Sequence, residues 1–176
     1  VEPHQANRWL RKIHGVVGRL INRINLEQGV LLNRIVAHRF LKSLLRNALN
    51  AAQHETVIVY AQDPLSAKAA LDLRREGFKF RLVGVIHYNI SEAEEYVEKG
   101  IAKMSGSLWR NLMHNEQKVL PKLDQIIFVS AFMQQVVGAR LHELGSVPQN
   151  VISNFLASNQ IYTESKSDTA GDMIAI

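Results

Sequence analysis

Apolar side chains in the first fifty residues recur at a helical spacing. One stripe comprises Leu10, Ile13, Val17, Leu20, Ile21 and Ile24. A second comprises Leu31, Leu32, Ile35, Val36, Leu41, Leu44, Leu45 and Leu49. Residues three or four positions apart lie on one face of an α-helix. The spacing therefore predicts two amphipathic helices, separated by a break near Gly29.

From Thr56 onward, short apolar runs alternate with helical segments. The runs predict strands at residues 56–61, 80–87, 125–129 and 151–152. Asp63, Ser91 and Ser130 are predicted to cap the helices that follow the first three strands. Strands that alternate with helices of this length are typical of βαβ crossovers and a parallel sheet. The predicted fold class is α/β, a parallel sheet with flanking helices, preceded by the two amphipathic helices.

Basic residues are concentrated near the N-terminus. The chain has a net charge of +5, and residues 8–46 hold seven Arg and two Lys against one acid, Glu27. The face opposite the first apolar stripe holds Arg8, Arg11, Lys12, Arg19 and Arg23. This pattern suits an anionic membrane surface, but equally a solvated helix pair that covers the sheet. Nucleic acid is disfavoured, because few aromatic residues lie among the basic ones.

The composition excludes several classes of protein. The chain has no cysteine, so it holds neither disulfides nor thiolate metal sites. It has no apolar run of 18 residues and no signal peptide, so we expect no membrane span and no secretion. The expected location is cytoplasmic, or peripheral on the inner face of the plasma membrane.

Polar residues follow each predicted strand, where ligands of parallel sheets bind. The candidates are Tyr60, Gln62, Asp63, His87, Tyr88, Asn89, Ser130, Ser153 and Asn154. Each also has a structural interpretation. Asp63 and Ser130 are typical helix caps, Tyr60 suits strand packing, and His87 can simply end its strand. The acidic run Glu92, Glu94, Glu95 and Glu98 suits a solvated face at a helix N-terminus. The common phosphate-binding, metal-binding and nucleophile motifs are missing.

Four segments together resemble a known family. They are residues 57–64 (VIVYAQDP), 83–87 (VGVIH), 123–130 (LDQIIFVS) and 150–154 (NVISN). Their order and spacing are similar to those of the N-terminal domain of family-4-type retaining GT-B glycosyltransferases, common in bacterial envelope and exopolysaccharide synthesis. The resemblance implies a Rossmann-like acceptor-side domain. It also implies a metal-independent hexosyl transfer from a UDP-sugar or GDP-sugar to a glycan or lipid-linked acceptor.

The resemblance also gives roles to residues and boundaries to domains. It implies that His87 is catalytic, that Tyr60, Gln62, Asp63, Tyr88, Asn89 and Ser130 bind substrate, and that Asn154 is a hinge. Residues 1–156 would be the acceptor-side domain without its first strands, and residues 157–171 a linker. Residues 172–176 would begin a donor-binding domain, without which we expect no activity. The alternatives are a non-catalytic flavodoxin-like binding or regulatory module and a basic, membrane-associated scaffold subunit.

Overall fold

The computed structural model describes residues 26–52, 56–88, 90–153 and 173–175. The helices are α1 (Leu26–Ala51), α2 (Pro64–Arg75), α3 (Glu92–Glu98), α4 (Ser107–Val119) and α5 (Ala131–Arg140). The strands are β1 (Ile58–Ala61), β2 (Arg81–Ile86), β3 (Gln125–Phe128), β4 (Gln149–Val151) and β5 (Met173–Ala175). Two short 3₁₀ helices span Leu120–Lys122 and His142–Ser146. The strand and helix alternation follows the sequence pattern, with ends shifted by a few residues.

All described strands pair in parallel, in the spatial order β4-β3-β2-β1-β5. The α/β prediction is thus confirmed, and the sheet with its flanking helices is Rossmann-like. One prediction needs correction. Residues 172–176 were expected to begin a separate domain, but Met173–Ala175 pairs with β1 as an edge of this same sheet. A strand-like pattern gives no information about its partner, because backbone pairing does not depend on sequence distance.

The main core lies on one face of the sheet. Val59, Leu82, Ile86, Ile126 and Phe128 point to this face and are almost completely buried. They alternate along the strands with residues of the opposite face, as the pleat of a strand requires. The helices cover this face of the sheet. Their buried side chains in the core are Leu45, Leu49, Leu73, Val119, Val137 and Leu144. An ion pair between Arg74 on α2 and Asp124 before β3 ties this layer to the sheet, and Asp124 also accepts from the Leu82 N–H at 2.7 Å.

Helix α1 differs from its prediction in two ways. It runs from Leu26 without a break, and Gly29 lies buried within it. Glycine costs a helix only about 1 kcal/mol relative to alanine, an amount that packing readily outweighs. The predicted apolar stripe is also divided, since Leu45 and Leu49 are buried while Ile35 and Leu44 are about half exposed. Tertiary contacts therefore bury only part of the face that the spacing defines.

A second apolar cluster joins α1, α3 and α4. Its buried members are Ala93, Ala102, Leu108 and Leu112, and Val30 and Leu31 of α1 pack against them. Glu27 fixes the start of α1 here, since its carboxylate accepts from the Lys103 N–H at 2.7 Å and from the Ser107 hydroxyl at 2.9 Å. These contacts hold α1 beside α3 and α4, close to the residues that follow β2.

Candidate functional site

The ends of β1, β2 and β3 bring the polar candidates to one edge of the sheet. The register pairs Ala61 with Gly84 and Ile86 with Phe128. Tyr88 and Ser130 therefore lie at the same level, two residues beyond the paired ends of neighbouring strands. Adjacent strands are about 5 Å apart, so residues at one level are near neighbours. We call Gln62, Asp63, His87, Tyr88, Ser130 and Ser153 the carboxyl edge.

His87 lies directly after β2 and its side chain is exposed. Strand β2 lies between β1 and β3, so His87 stands inside the carboxyl edge and not at the rim of the sheet. The strand order also reverses at β1, because β2, β3 and β4 follow on one side while β5 lies on the other. Ligands of open parallel sheets bind beside such a reversal. His87 is thus an accessible hydrogen-bonding group, one strand away from the reversal of strand order at β1.

The buried Tyr88 and Glu116 and the partly buried Arg140 form a polar group that begins directly after His87 in the chain, and we call it the clamp. The Tyr88 hydroxyl donates to the Glu116 carboxylate, and the Glu116 side chain is fully buried. Both terminal nitrogens of Arg140 donate hydrogen bonds to this carboxylate, at 2.9 and 2.6 Å. The same guanidinium donates to the Ile90 carbonyl at 3.0 Å. The clamp therefore joins α4 and α5 to the backbone after β2.

Burial and hydrogen bonding keep Tyr88 and Arg140 each in one protonation state. Burial, reinforced by the neighbouring Glu116 carboxylate, raises the pKa of Tyr88 well above its ordinary value. Burial alone would lower the pKa of Arg140, but hydrogen bonding to Glu116 outweighs it and the pKa is raised. Tyr88 thus remains a hydrogen-bond donor and Arg140 remains a cation at neutral pH. A buried carboxylate needs such partners, because an unpaired charge in a protein interior is strongly destabilising.

A second ion pair, partly buried, lies beside the clamp. Glu92, the first residue of α3, pairs with Arg34 of α1 through both carboxylate oxygens, one of them at 3.1 Å. Burial raises the pKa of Glu92, although Arg34 opposes this shift. Glu92 was expected on a solvated acidic face, and its burial corrects that expectation. The reason is the position of α1, which brings Arg34 against the N-terminus of α3.

The remaining predicted residues divide between capping and exposure. Asp63 caps α2, with its carboxylate accepting from the Leu65 N–H at 2.7 Å and the Ser66 N–H at 2.8 Å. Ser130 caps α5 by accepting from the Met133 N–H at 3.2 Å. Gln62 is exposed beside Asp63, and Tyr60 is half buried within β1. Capping occupies the carboxylate of Asp63 but leaves that residue exposed at the edge.

Tyr88 needs a correction. It was expected to contact substrate, but its side chain is only 7% exposed and its hydroxyl binds Glu116. The sequence could not show this, since the partner lies 28 residues further along the chain. Seven further candidates lie outside the described residues: Asn89, Asn154, Arg8, Arg11, Lys12, Arg19 and Arg23.

The sequence interpretation missed Glu116 and Arg140. A signal for Glu116 was present, because it falls on the buried stripe of α4 with Leu108, Leu112 and Val119. A charged residue at a position reserved for apolar side chains indicates a buried partner. Arg140 carries no comparable signal, since a basic residue in the last turn of a helix is common.

Within residues 26–52, 56–88 and 90–153, no cluster of three or more His, Asp or Glu side chains could hold a metal ion. None of the described helices is long and apolar enough to cross a membrane. Comparison of the chain with protein-family models, with curated proteins and with solved structures gave no match.

Proposed function

We propose that this chain is the acceptor-side domain of a glycosyltransferase that moves a hexosyl group from a nucleotide sugar. The observation that carries the proposal is the exposed His87 at the carboxyl end of an inner strand of a parallel sheet. The order of the four resembling segments supports it, because the described strand that each one contains runs to this same edge. The proposed donor is a UDP-sugar or GDP-sugar, and the proposed acceptor is a glycan or a lipid-linked sugar.

The proposed chemistry requires positioning more than a strong base. In a retaining transfer, the bond from the anomeric carbon to the diphosphate breaks, and a bond to the acceptor oxygen forms on the same face. The acceptor's proton leaves with the diphosphate. A preorganised donor aimed at the departing oxygen stabilises the charge that develops there. His87 has the accessibility for this role, and Gln62 is an exposed amide on the neighbouring strand end.

Binding of nucleotide sugars tests the location of this site. We expect UDP-glucose or GDP-mannose to bind the chain weakly, with dissociation constants of about a millimolar. The reason is that the proposed donor-binding domain would supply about half of the ligand contacts in the cleft. Backbone amide shifts in NMR titrations should change at Gln62, His87 and Ser130. UMP and GMP serve as controls for the contribution of the nucleotide alone. Shift changes confined to other parts of the sheet, or none up to about 10 mM, would contradict the proposed site.

We further propose that the acceptor is reached at an anionic membrane surface. Helix α1 leaves Ile35, Phe40 and Leu44 exposed, by 52%, 54% and 50%. Arg39 is exposed on the same helix. Large apolar side chains with basic neighbours suit the headgroup layer of a membrane, where each basic residue contributes about 1 kcal/mol. The basic residues predicted before α1 would add to this attraction.

Vesicle binding tests the membrane proposal. We expect co-sedimentation with anionic vesicles at low salt and release at high salt, since salt screens charge at the surface. Phe40→Ser should weaken binding several-fold. Phe132→Ser is the matched control, because Phe132 is a phenylalanine on α5 that is at least as exposed, at 64% against 54% for Phe40. Equal binding to neutral and anionic vesicles, or an equal effect of the two substitutions, would remove α1 from the membrane proposal.

A further inference from the structure

The segment after β2 is fixed from two directions at once. On one side, the Tyr88 ring is buried and its hydroxyl binds Glu116. On the other, the Ile90 carbonyl accepts from Arg140 at 3.0 Å. Glu116 and Arg140 are themselves joined by two hydrogen bonds. One carboxylate–guanidinium pair therefore holds the side chain of Tyr88 and the backbone carbonyl of Ile90.

We propose that Tyr88, Glu116 and Arg140 are positioning residues for His87. His87 itself is exposed, so it lacks the packing that would fix a buried side chain. Its neighbour Tyr88 is instead anchored in the protein. A catalytic group acts best when it is held within about 0.5 Å of its working position. Residues that do not contact the substrate, but support the catalytic residue, usually supply that constraint. The inference rests on the proposed role of His87 in transfer.

Stability alone does not explain why polar groups hold the residues after β2, so we infer that they serve to position those residues. Replacing a buried ion pair with apolar residues of similar size is often neutral or stabilising. Glu116 occupies a fully buried position on the apolar stripe of α4, where leucine would satisfy packing. Leucine would accept no hydrogen bond from Tyr88 and would give Arg140 no partner. Only the carboxylate joins both of them at one point.

Each member of the clamp has a distinct geometric task. Glu116 has two oxygens, and it uses them for one tyrosine donor and two guanidinium donors. Arg140 supplies a planar fork that reaches the carboxylate and a backbone carbonyl together. Lysine carries the same charge, but its single nitrogen cannot reproduce this fork. Arg140→Lys should therefore keep the charge balance and weaken the hold.

The test uses Tyr88→Phe, which removes one hydroxyl and retains the buried ring. Tyr96→Phe is the matched control, since Tyr96 is a half-buried tyrosine packed against the second apolar cluster. Backbone NMR order parameters at residues 88 and 90 should fall from about 0.85 toward about 0.6 in Tyr88→Phe. They should stay unchanged in Tyr96→Phe. Arg140→Lys should show the same loss, largest at Ile90, as a second and independent perturbation.

Transfer kinetics separate positioning from a purely structural role. Tyr88→Phe should lower kcat about tenfold and leave KM within about twofold, because a displaced catalytic group affects the reacting state more than substrate binding. Unchanged order parameters in both variants would overturn the clamp. Lower order parameters with unchanged kcat would overturn positioning, provided that His87→Ala lowers turnover. If His87→Ala has no effect either, the proposed function fails first, and the clamp is left as a structural device only.

Discussion

Replacing His87 with alanine is expected to lower turnover of the proposed transferase by about 10²-fold or more. Loss of one preorganised electrostatic contact at a reacting oxygen typically has an effect of that size. The exposed side chain contributes little packing, so the melting temperature should change by no more than about 2 °C. The measurement is initial-rate kinetics with a nucleotide sugar, in a chain that includes the donor-binding half, beside thermal unfolding of the same variant.

Two further variants sharpen this result. His114→Ala is the matched control, because His114 is an exposed histidine on α4, away from the carboxyl edge. It should keep full activity. His87→Gln retains a hydrogen-bond donor and should recover part of the turnover. Activity of His87→Ala close to that of the unaltered protein would leave His87 as a strand-end residue, and the proposed transferase would lose its central group.

Replacing Glu116 with alanine is expected to lower the free energy of unfolding by about 3–5 kcal/mol. Removing one member of a buried ion pair leaves the other charge without compensation, and this is the costly case. Here the loss would leave Arg140 and the Tyr88 hydroxyl without their shared acceptor. For a domain of this size, a loss of that magnitude is a large part of the total stability. Urea unfolding followed by circular dichroism measures it.

The control and a double substitution test the stated cause. Glu98→Ala removes an exposed carboxylate from α3 and should change stability by less than about 0.5 kcal/mol. Adding Arg140→Met to Glu116→Ala removes the orphaned charge, so the double variant should be more stable than Glu116→Ala alone. A loss below about 1 kcal/mol in Glu116→Ala would show that water reaches Arg140 and that the pair is not held in a dry interior.

The candidate site was only partly predictable. Its location followed from sequence, because a polar residue after an apolar run marks the end of a strand, and parallel strands end at a common edge. The roles of its residues did not follow. The sequence predicts that Tyr88 contacts substrate, whereas it is a buried anchor bound to Glu116. It predicts a solvated Glu92, whereas this residue is paired with Arg34. In both cases the partner that decides the role of the side chain is far away in the sequence, and the neighbouring residues do not reveal it.

Elements with local causes could be predicted from the sequence alone. Apolar runs and spacing predicted β1 to β4, the helices α2 and α5 and much of α1, and the caps Asp63, Ser91 and Ser130 began their helices as expected. These interactions act within a few residues. Tertiary structure alone decided that Met173–Ala175 joins β1, that Arg34 meets Glu92 across 58 residues, and that Arg140 meets Glu116 across 24. Burial and charge pairing depend on which surfaces contact each other in the folded protein, and the periodicity of the sequence does not show those contacts.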